Sequence, residues 1–347
     1  MHPIDLRRPH WLAGVSPFLV MAAGAAGLAG STFPSSSSVA AEPAAPRSAS
    51  FAEILTSGTR RTFQDVSAHL EREPAGADAE EAHRWFLATA REYGWEADAL
   101  SAAERYLVGE NGSADTRRLA GEIRVLAPAR AGRMAAAVER FEEHLASVRL
   151  RSADAAIRLG VDLASQAQLA GDFAAARAVF EKLPRPFFLN PQVEEFCNTR
   201  LAKLELAEKK APEISVQDLS GEVVKADDYA GKVLLVDFWA TDCAPCLEEL
   251  PRLKRLHAQH GRAGFEILGI SLDEKGEAVE EFRKRRELPW RMALSSSDKD
   301  ATRTRYRART IPSLFLIDRA GRVAFADLRG RELEAAVERL VGDESRR

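Results

Sequence analysis

Two cysteines separated by two residues, Cys243 and Cys246, are the side chains of this sequence whose type and spacing most clearly predict chemistry. A continuous apolar run, Val233 to Trp239, precedes them and a helical pattern follows, which indicates a strand that passes into a helix. At a helix N-terminus the free backbone N–H groups favour the thiolate of the first cysteine, the nucleophile of thiol–disulfide exchange. The second cysteine, one turn on, is placed to attack the mixed disulfide intramolecularly.

The number of cysteines excludes the other common uses of this residue. Three cysteines, with Cys197 as the third, are too few for a disulfide framework in a chain of 347 residues or for a four-cysteine zinc site. No second pair of ligands accompanies the motif, so we predict no metal and no cofactor other than a redox-active disulfide between Cys243 and Cys246. Cys197 is expected to be a small buried hydrophobe and not a reactive thiol.

The composition predicts an ordinary globular protein of about two domains. Hydrophobic residues make up 46% and charged residues 29% of the chain. Because 49 basic residues oppose 52 acidic ones, the formal net charge is −3 and no overall field attracts nucleic acid.

The N-terminus resembles an export signal. The pair Arg7-Arg8 precedes an uncharged stretch over residues 11–29, and a small-x-small cleavage pattern ends at Ala41. We therefore predict a signal peptide over residues 1–41 and a disordered linker over 42–50, with an uncleaved membrane anchor as the alternative. Both interpretations place the folded part outside the cytoplasm, in the periplasm or an equivalent compartment.

Residues 51–210 are predicted to form an all-α domain of helical hairpins, with a last helix over 192–210. Glycines spaced 38 and 39 residues apart can each make a turn, and alanines recur three and five positions after each of them: Gly94, Gly132 and Gly171. The pattern resembles a tetratricopeptide-type array, although its period is longer than that family's. Such an array offers a surface for a protein partner, or it only spaces and caps the second domain.

Residues 212–347 are predicted to form an α/β domain, because strand and helix patterns alternate there. A β-hairpin is expected around residues 214–224, before the apolar run that leads to the cysteines. The later predicted elements are helix 245–260, strand 265–271, helix 278–287, strand 290–294, helix 300–306, strands 314–317 and 322–325, and helix 331–340.

The second half resembles the thioredoxin superfamily and, within it, the TlpA/ResA-like extracytoplasmic thiol–disulfide oxidoreductases. The resemblance rests on separated motifs, which are Asp237-Phe238-Trp239-Ala240, Cys243-Ala244-Pro245-Cys246, Glu249 with Pro251, Thr310-Ile311-Pro312, and Phe315-Leu316-Ile317-Asp318 with Gly321. It covers about residue 212 to the end and implies a thioredoxin-like fold with a protein-disulfide reductase activity.

The resemblance also implies roles for single residues near the cysteines. Asp237 occupies the position of a buried acid that accepts the proton of Cys246 as the mixed disulfide resolves; a structural hydrogen bond is the alternative. Glu249 is implied to tune the thiols, with a solvated helix face as the alternative.

Three further residues are implied to bind the substrate. Pro312 corresponds to a cis-proline beside the disulfide, which leaves the backbone of Ile311 free to pair with a substrate strand. Trp239, just before the motif, is the third.

One position departs from the family pattern. Asp242 precedes the first cysteine, where the family usually has tryptophan. A carboxylate there opposes thiolate formation, so we expect Asp242→Trp to lower the pKa of Cys243. Arginines before Pro312 either bring compensating positive charge to the site or form a solvated basic face: Arg305, Arg307 and Arg309.

The direction of electron flow is predicted from the dipeptide between the cysteines. Ala-Pro resembles the Gly-Pro and Glu-Pro of reducing family members, which favours a reductase that takes electrons from a membrane thiol donor and acts on exported proteins with disulfides. The alternatives are an interaction or scaffold protein whose helical array binds partners, and a thiol peroxidase. A peroxidase is disfavoured because the Thr-x-x-Cys pattern with a preceding proline is absent around Cys243.

Overall fold

The computed structural model describes residues 51–74, 76–109, 112–147, 153–295 and 301–342. The predicted signal peptide and linker lie outside the described residues. The chain divides into two units, Met1–Thr62 and Phe63–Arg347. In the first unit, the residues from 51 onward are helical. No helix in the described part of the chain combines the length and the apolar composition that crossing a bilayer requires.

Helices make up the described chain before residue 205. They are α1 (Phe51–Arg72), α2 (Ala79–Tyr93), α3 (Glu96–Val108), α4 (Ala114–Arg130), α5 (Met134–Ser147), α6 (Ala153–Leu169), α7 (Phe173–Lys182) and α8 (Pro191–Leu204), with a 3₁₀ turn at Arg185–Phe187. The predicted helix-rich first half is confirmed.

The three predicted turn glycines each stand between two consecutive helices, α2/α3, α4/α5 and α6/α7. Their φ angles are 77°, 74° and 77° for Gly94, Gly132 and Gly171, a backbone conformation that glycine adopts without strain. The alanines five positions on are fully buried: Ala99, Ala137 and Ala176. The alanines three positions on are exposed, because residues two apart on a helix point about 200° from each other. Descent from the tetratricopeptide family stays a prediction.

The second half contains a seven-stranded sheet in the order β2-β1-β5-β4-β3-β6-β7. Its strands are β1 (Ser215–Asp218), β2 (Val223–Lys225), β3 (Val233–Trp239), β4 (Phe265–Ser271), β5 (Arg291–Leu294), β6 (Ser313–Ile317) and β7 (Val323–Ala326). The helices are α9 (Ala244–His260), α10 (Gly276–Arg286), α11 (Ala301–Arg305) and α12 (Gly330–Gly342). Strands β3, β4 and β5 are parallel and the other pairs antiparallel. This is the predicted thioredoxin-like domain, and its elements start and end within two residues of the predicted positions.

Strand β3 is buried along its whole length and separates two hydrophobic cores. Because side chains alternate between the faces of a strand, Leu235 and Trp239 enter the core that also holds Cys246, whereas Phe238 enters the opposite one. Asp237 has the parity of Leu235 and Trp239. The strand therefore directs this carboxyl toward the face on which the cysteines lie.

The outer edge of β7 is covered by the helical part of the chain. The side-chain amide of Gln168 donates to the Ala326 carbonyl (3.1 Å), and its oxygen accepts from the Ala326 N–H (3.0 Å). Further along the strand, Glu208 N donates to Val323 O (2.7 Å) and Val323 N donates to Lys209 O (2.9 Å). An edge that would otherwise be open for pairing with another chain is thus closed.

The prediction of a last helix over 192–210 is wrong at its C-terminal end. Helix α8 ends at Leu204, and Glu208 has a φ of 64°. The residues from 208 on pair with β7 instead of continuing the helix, so a tertiary contact overrides the local helical preference.

Candidate functional site

Cys243 and Cys246 lie where β3 passes into α9, as the sequence predicts. Cys243 is the N-cap residue of α9, and Pro245 occupies the first turn, where its missing N–H leaves no hydrogen bond unmade. The two sulfurs are bonded at 2.06 Å. Cys243 is half-buried and Cys246 is 4% exposed, so only the first cysteine is accessible to a partner from solvent.

The loop before the cysteines is held by Asp273, a residue that sequence reasoning missed. Its carboxylate accepts from Thr241 N (3.0 Å), from Thr241 Oγ1 (2.6 Å) and from Ser271 Oγ (2.6 Å). Asp273 follows β4, the parallel neighbour of β3, and parallel strands end at the same edge of a sheet. The sequence signal for Asp273 is an acidic residue just after β4, the strand that pairs with β3.

Asp237 is a buried acid behind the disulfide. Its side chain is in the core at 5% exposure, and its Oδ1 has no hydrogen-bond partner among the described residues. Burial raises the pKa of Asp237 to about 7; the Arg329 guanidinium opposes the rise and the Glu249 carboxylate adds to it. A carboxyl that titrates near neutral pH can take up and release a proton in the range where thiols exchange; the role of Asp237 as proton acceptor stays a prediction.

Glu249 lies on the same face of α9 as Cys246, three residues further on. Its side chain is partly buried, and its Oε2 lies 3.5 Å from Arg252 Nη1. Its carboxylate adds to the raised pKa of Asp237. The tuning of the thiols by Glu249 stays a prediction.

The predicted cis peptide between Ile311 and Pro312 is confirmed. Ile311 packs against both cores of the sheet, including the one that contains Cys246 and against which Cys243 also packs. Within the described chain its backbone makes no hydrogen bond to other backbone groups. The Pro312 carbonyl accepts from Arg329 Nη2 at 2.7 Å. The loop thus lies against the core that holds Cys246, and the backbone of Ile311 has no backbone partner among the described residues.

The predicted substrate contact of Trp239 is corrected by its burial. Its side chain is 1% exposed, and its ring packs on Phe282 with the centroids 5.3 Å apart. A substrate at the protein surface has no access to it. Trp239 instead packs in the core beneath the cysteines.

The arginines before Pro312 interact away from Asp242. Arg305 pairs with Glu213 at 3.3 Å, and Arg307 pairs with Glu205. Arg307 and Arg309 line a cleft of about 930 Å³ whose other wall is helix α8. Arg305 and Arg307 thus each pair with an acidic side chain other than Asp242.

Cys197 is a buried hydrophobe, as predicted. It is 1% exposed within the core of the helical part, and burial raises the pKa of its thiol to about 12. The thiolate is therefore scarce at neutral pH, which makes this cysteine unreactive.

Asp242 is exposed just before the accessible cysteine, so its carboxylate acts on the thiol through solvent. We expect Asp242→Trp to lower the pKa of the reduced Cys243 thiol by less than about one unit, since solvent screens the charge that is removed. Titration of thiolate absorbance measures the shift. Asp242→Asn is the matched control, because it removes the charge without adding a ring and should give a fall of the same sign. An unchanged or higher pKa in either variant contradicts the prediction.

Among the described residues, no group of three or more histidine, cysteine, aspartate or glutamate side chains is arranged to hold a metal ion.

Comparison with known proteins finds relatives for the second half of the chain. Residues 207–326 match the AhpC/TSA family. The chain is 31% identical over 143 residues to the thiol-disulfide oxidoreductase ResA of Bacillus thuringiensis subsp. konkukian (strain 97-27), a match over 41% of this chain and 80% of that protein. It is 32% identical over 139 residues to ResA of Bacillus cereus (strain ATCC 10987 / NRS 248), over 40% and 78%. Among solved structures, the thioredoxin domain of a thiol-disulfide oxidoreductase from Bacteroides vulgatus is 31% identical, with a TM-score of 0.37, over 39% of this chain and 97% of that one.

Proposed function

This chain belongs to the family of ResA-type thiol–disulfide oxidoreductases, and from that premise we propose that it is an exported reductase of protein disulfides. The observation that carries the proposal is the placement of Cys243 at the N-cap of α9 with Cys246 buried one turn on. Helix N-terminal N–H groups favour the thiolate of the first, and burial protects the second from external disulfides.

The reaction proceeds in two exchanges. The Cys243 thiolate attacks one sulfur of a client disulfide; a mixed disulfide forms and the other client sulfur leaves as a thiolate, which takes a proton from water. Cys246 then gives its proton to Asp237 and attacks the Cys243 sulfur, which releases the second client thiolate and forms the enzyme disulfide. Two electrons pass from the enzyme dithiol to the client. A client strand pairs with the backbone of Ile311 while the exchange takes place.

The measurement that tests the direction is the reduction potential of the Cys243–Cys246 couple. We expect a value near about −270 mV, at the reducing end of the known range, because the Ala-Pro dipeptide resembles that of reducing members. Equilibration of the purified protein with dithiothreitol buffers, followed by alkylation of free thiols, gives the potential. A value near about −120 mV would make the protein an oxidant and overturn the proposal.

The location and the electron donor form part of the same proposal. The N-terminal pattern of an arginine pair, an uncharged stretch and a cleavage motif supports export, by cleavage after Ala41 or by an uncleaved anchor. A membrane thiol donor would then return electrons to the disulfide. Sequencing of the N-terminus of the mature protein distinguishes the two, since an intact Met1 contradicts cleavage.

Two alternatives are tested alongside. A thiol peroxidase is the first alternative, so consumption of hydrogen peroxide by the reduced protein is measured beside the reduction of insulin. Peroxide consumption without insulin turnover would favour a peroxidase. The other alternative is a scaffold protein whose helical part binds partners. In that case, replacing Cys243 should leave the function of the protein in the cell unchanged.

A further inference from the structure

A lysine of the helical part is buried against the loop that carries Ile311. Lys203, on α8, is 2% exposed. Its Nζ donates to Ser313 Oγ at 2.6 Å and to Asp327 Oδ2 at 2.8 Å. Ser313 follows Pro312 directly, and its hydroxyl donates in turn to the Thr310 carbonyl. Two successive hydrogen bonds thus connect the Lys203 ammonium, through the Ser313 hydroxyl, to the Thr310 carbonyl.

Asp327 connects the same lysine to the start of β6. It is 4% exposed, and its Oδ1 accepts from Leu314 N at 3.0 Å. Its Oδ2 also lies 3.0 Å from Arg200 Nη1. Although burial raises the pKa of this carboxyl, Arg200, Lys203 and Arg329 together hold it below its usual range, so the acid is ionised at neutral pH.

A fully buried ammonium is costly unless its geometry is nearly complete, and an apolar side chain at such a position is often as stable or more stable. Lys203 is the one charged side chain among the buried residues of α8, the others being Val193, Cys197 and Leu204. Fold stability alone therefore does not account for a lysine there. Its two acceptors are separated from it by 110 and 124 residues in the sequence; Ser313 follows Pro312 directly, and Asp327 binds the backbone of Leu314.

We infer that Lys203 is a positioning residue for the redox reaction: it holds Ser313 and Asp327 so that the backbone of Ile311 is fixed for pairing with a client strand. The inference rests on the proposed function and assigns the helical part a role in the redox site. Arg329, which donates to the Pro312 carbonyl, anchors the loop at a second point.

Lys203→Met tests the inference, because methionine keeps most of the stem and loses the ammonium. We expect kcat/KM for insulin reduction to fall about tenfold, the effect of one lost hydrogen bond to a charged group. Turnover of a small aromatic disulfide, which needs no strand pairing, should stay within about twofold of wild type. Amide hydrogen exchange over residues 310–314 should quicken about tenfold.

Arg200→Met is the matched control. Arg200 binds the same Asp327 oxygen as Lys203, but within the described structure it donates nothing to Ser313. Arg200→Met should lower the stability of the fold. It should leave kcat/KM for insulin, and amide hydrogen exchange over residues 310–314, within about twofold of wild type. Ser313→Ala removes the hydroxyl alone and should reproduce the kinetic loss of Lys203→Met. It keeps the inference testable if Lys203→Met does not fold.

The outcomes separate the inference from the function on which it rests. Equal losses of kcat/KM in Arg200→Met and Lys203→Met overturn it, as does wild-type kcat/KM in Ser313→Ala. If wild type itself fails to reduce insulin, the proposed function is wrong. Amide hydrogen exchange over residues 310–314 then tests the positioning role by itself. Equal exchange rates in wild type, Lys203→Met and Ser313→Ala overturn the inference.

Discussion

Cys243→Ser is expected to reduce dithiothreitol-driven insulin reduction at least about a thousandfold, since the serine hydroxyl is not ionised at neutral pH and cannot exchange with a disulfide. Cys246→Ser is expected to lose turnover as well, but for a different reason. Its Cys243 still attacks, and the mixed disulfide accumulates because no second thiol resolves it. Non-reducing electrophoresis after mixing with insulin should therefore show a covalent adduct for Cys246→Ser and none for Cys243→Ser.

Cys197→Ala is the matched control for these two variants, since it removes the remaining cysteine of the chain. Its thiol is buried in the helical core, away from the disulfide, so turnover should stay within about twofold of wild type while stability falls modestly. An adduct formed by Cys243→Ser, or a loss of turnover in Cys197→Ala, would contradict the assignment of Cys243 as the nucleophile.

Asp237→Asn is expected to remove a large pH dependence of stability in the oxidised protein. Burial raises the pKa of Asp237 to about 7, against about 3.9 in an unfolded chain. Between these values the folded state holds a proton that the unfolded state has lost. The free energy of unfolding of wild type therefore falls as the pH rises, by about 4 kcal/mol in total, and levels off above pH 7.

Urea unfolding between pH 4 and pH 9 measures this effect. Asparagine has nearly the same shape and does not titrate, so wild type should lose stability relative to Asp237→Asn as the pH rises through the folded pKa. Curves that stay parallel across this range would show that Asp237 does not titrate with a raised pKa. Glu249→Gln is the control: it removes the neighbouring carboxylate and should leave most of the fall in place, because burial is the main cause of the shift.

Local patterns in the sequence predicted much of this structure. The family resemblance predicted Asp237 as a buried acid, and the alternation of side chains along β3 gives it the same face as Leu235 and Trp239. The break between this strand and the next helical pattern placed Cys243 at a helix start. The glycines of the first half predicted turns because only glycine adopts a positive φ without strain. These features depend on residues within a few positions of each other.

The sequence by itself thus determined the fold of the second half, the cysteine pair and the acid behind it. The tertiary structure alone decided that Lys203 reaches Ser313, that α8 ends early to pair with β7, and that Trp239 is closed to substrate. It also decided that Glu96, fully buried on α3, is shared by Arg91, Arg130 and Arg331, the last of these from α12. The physical reason is that periodicity specifies which face of an element is apolar, whereas the partner of a buried charge depends on how elements distant in sequence pack together.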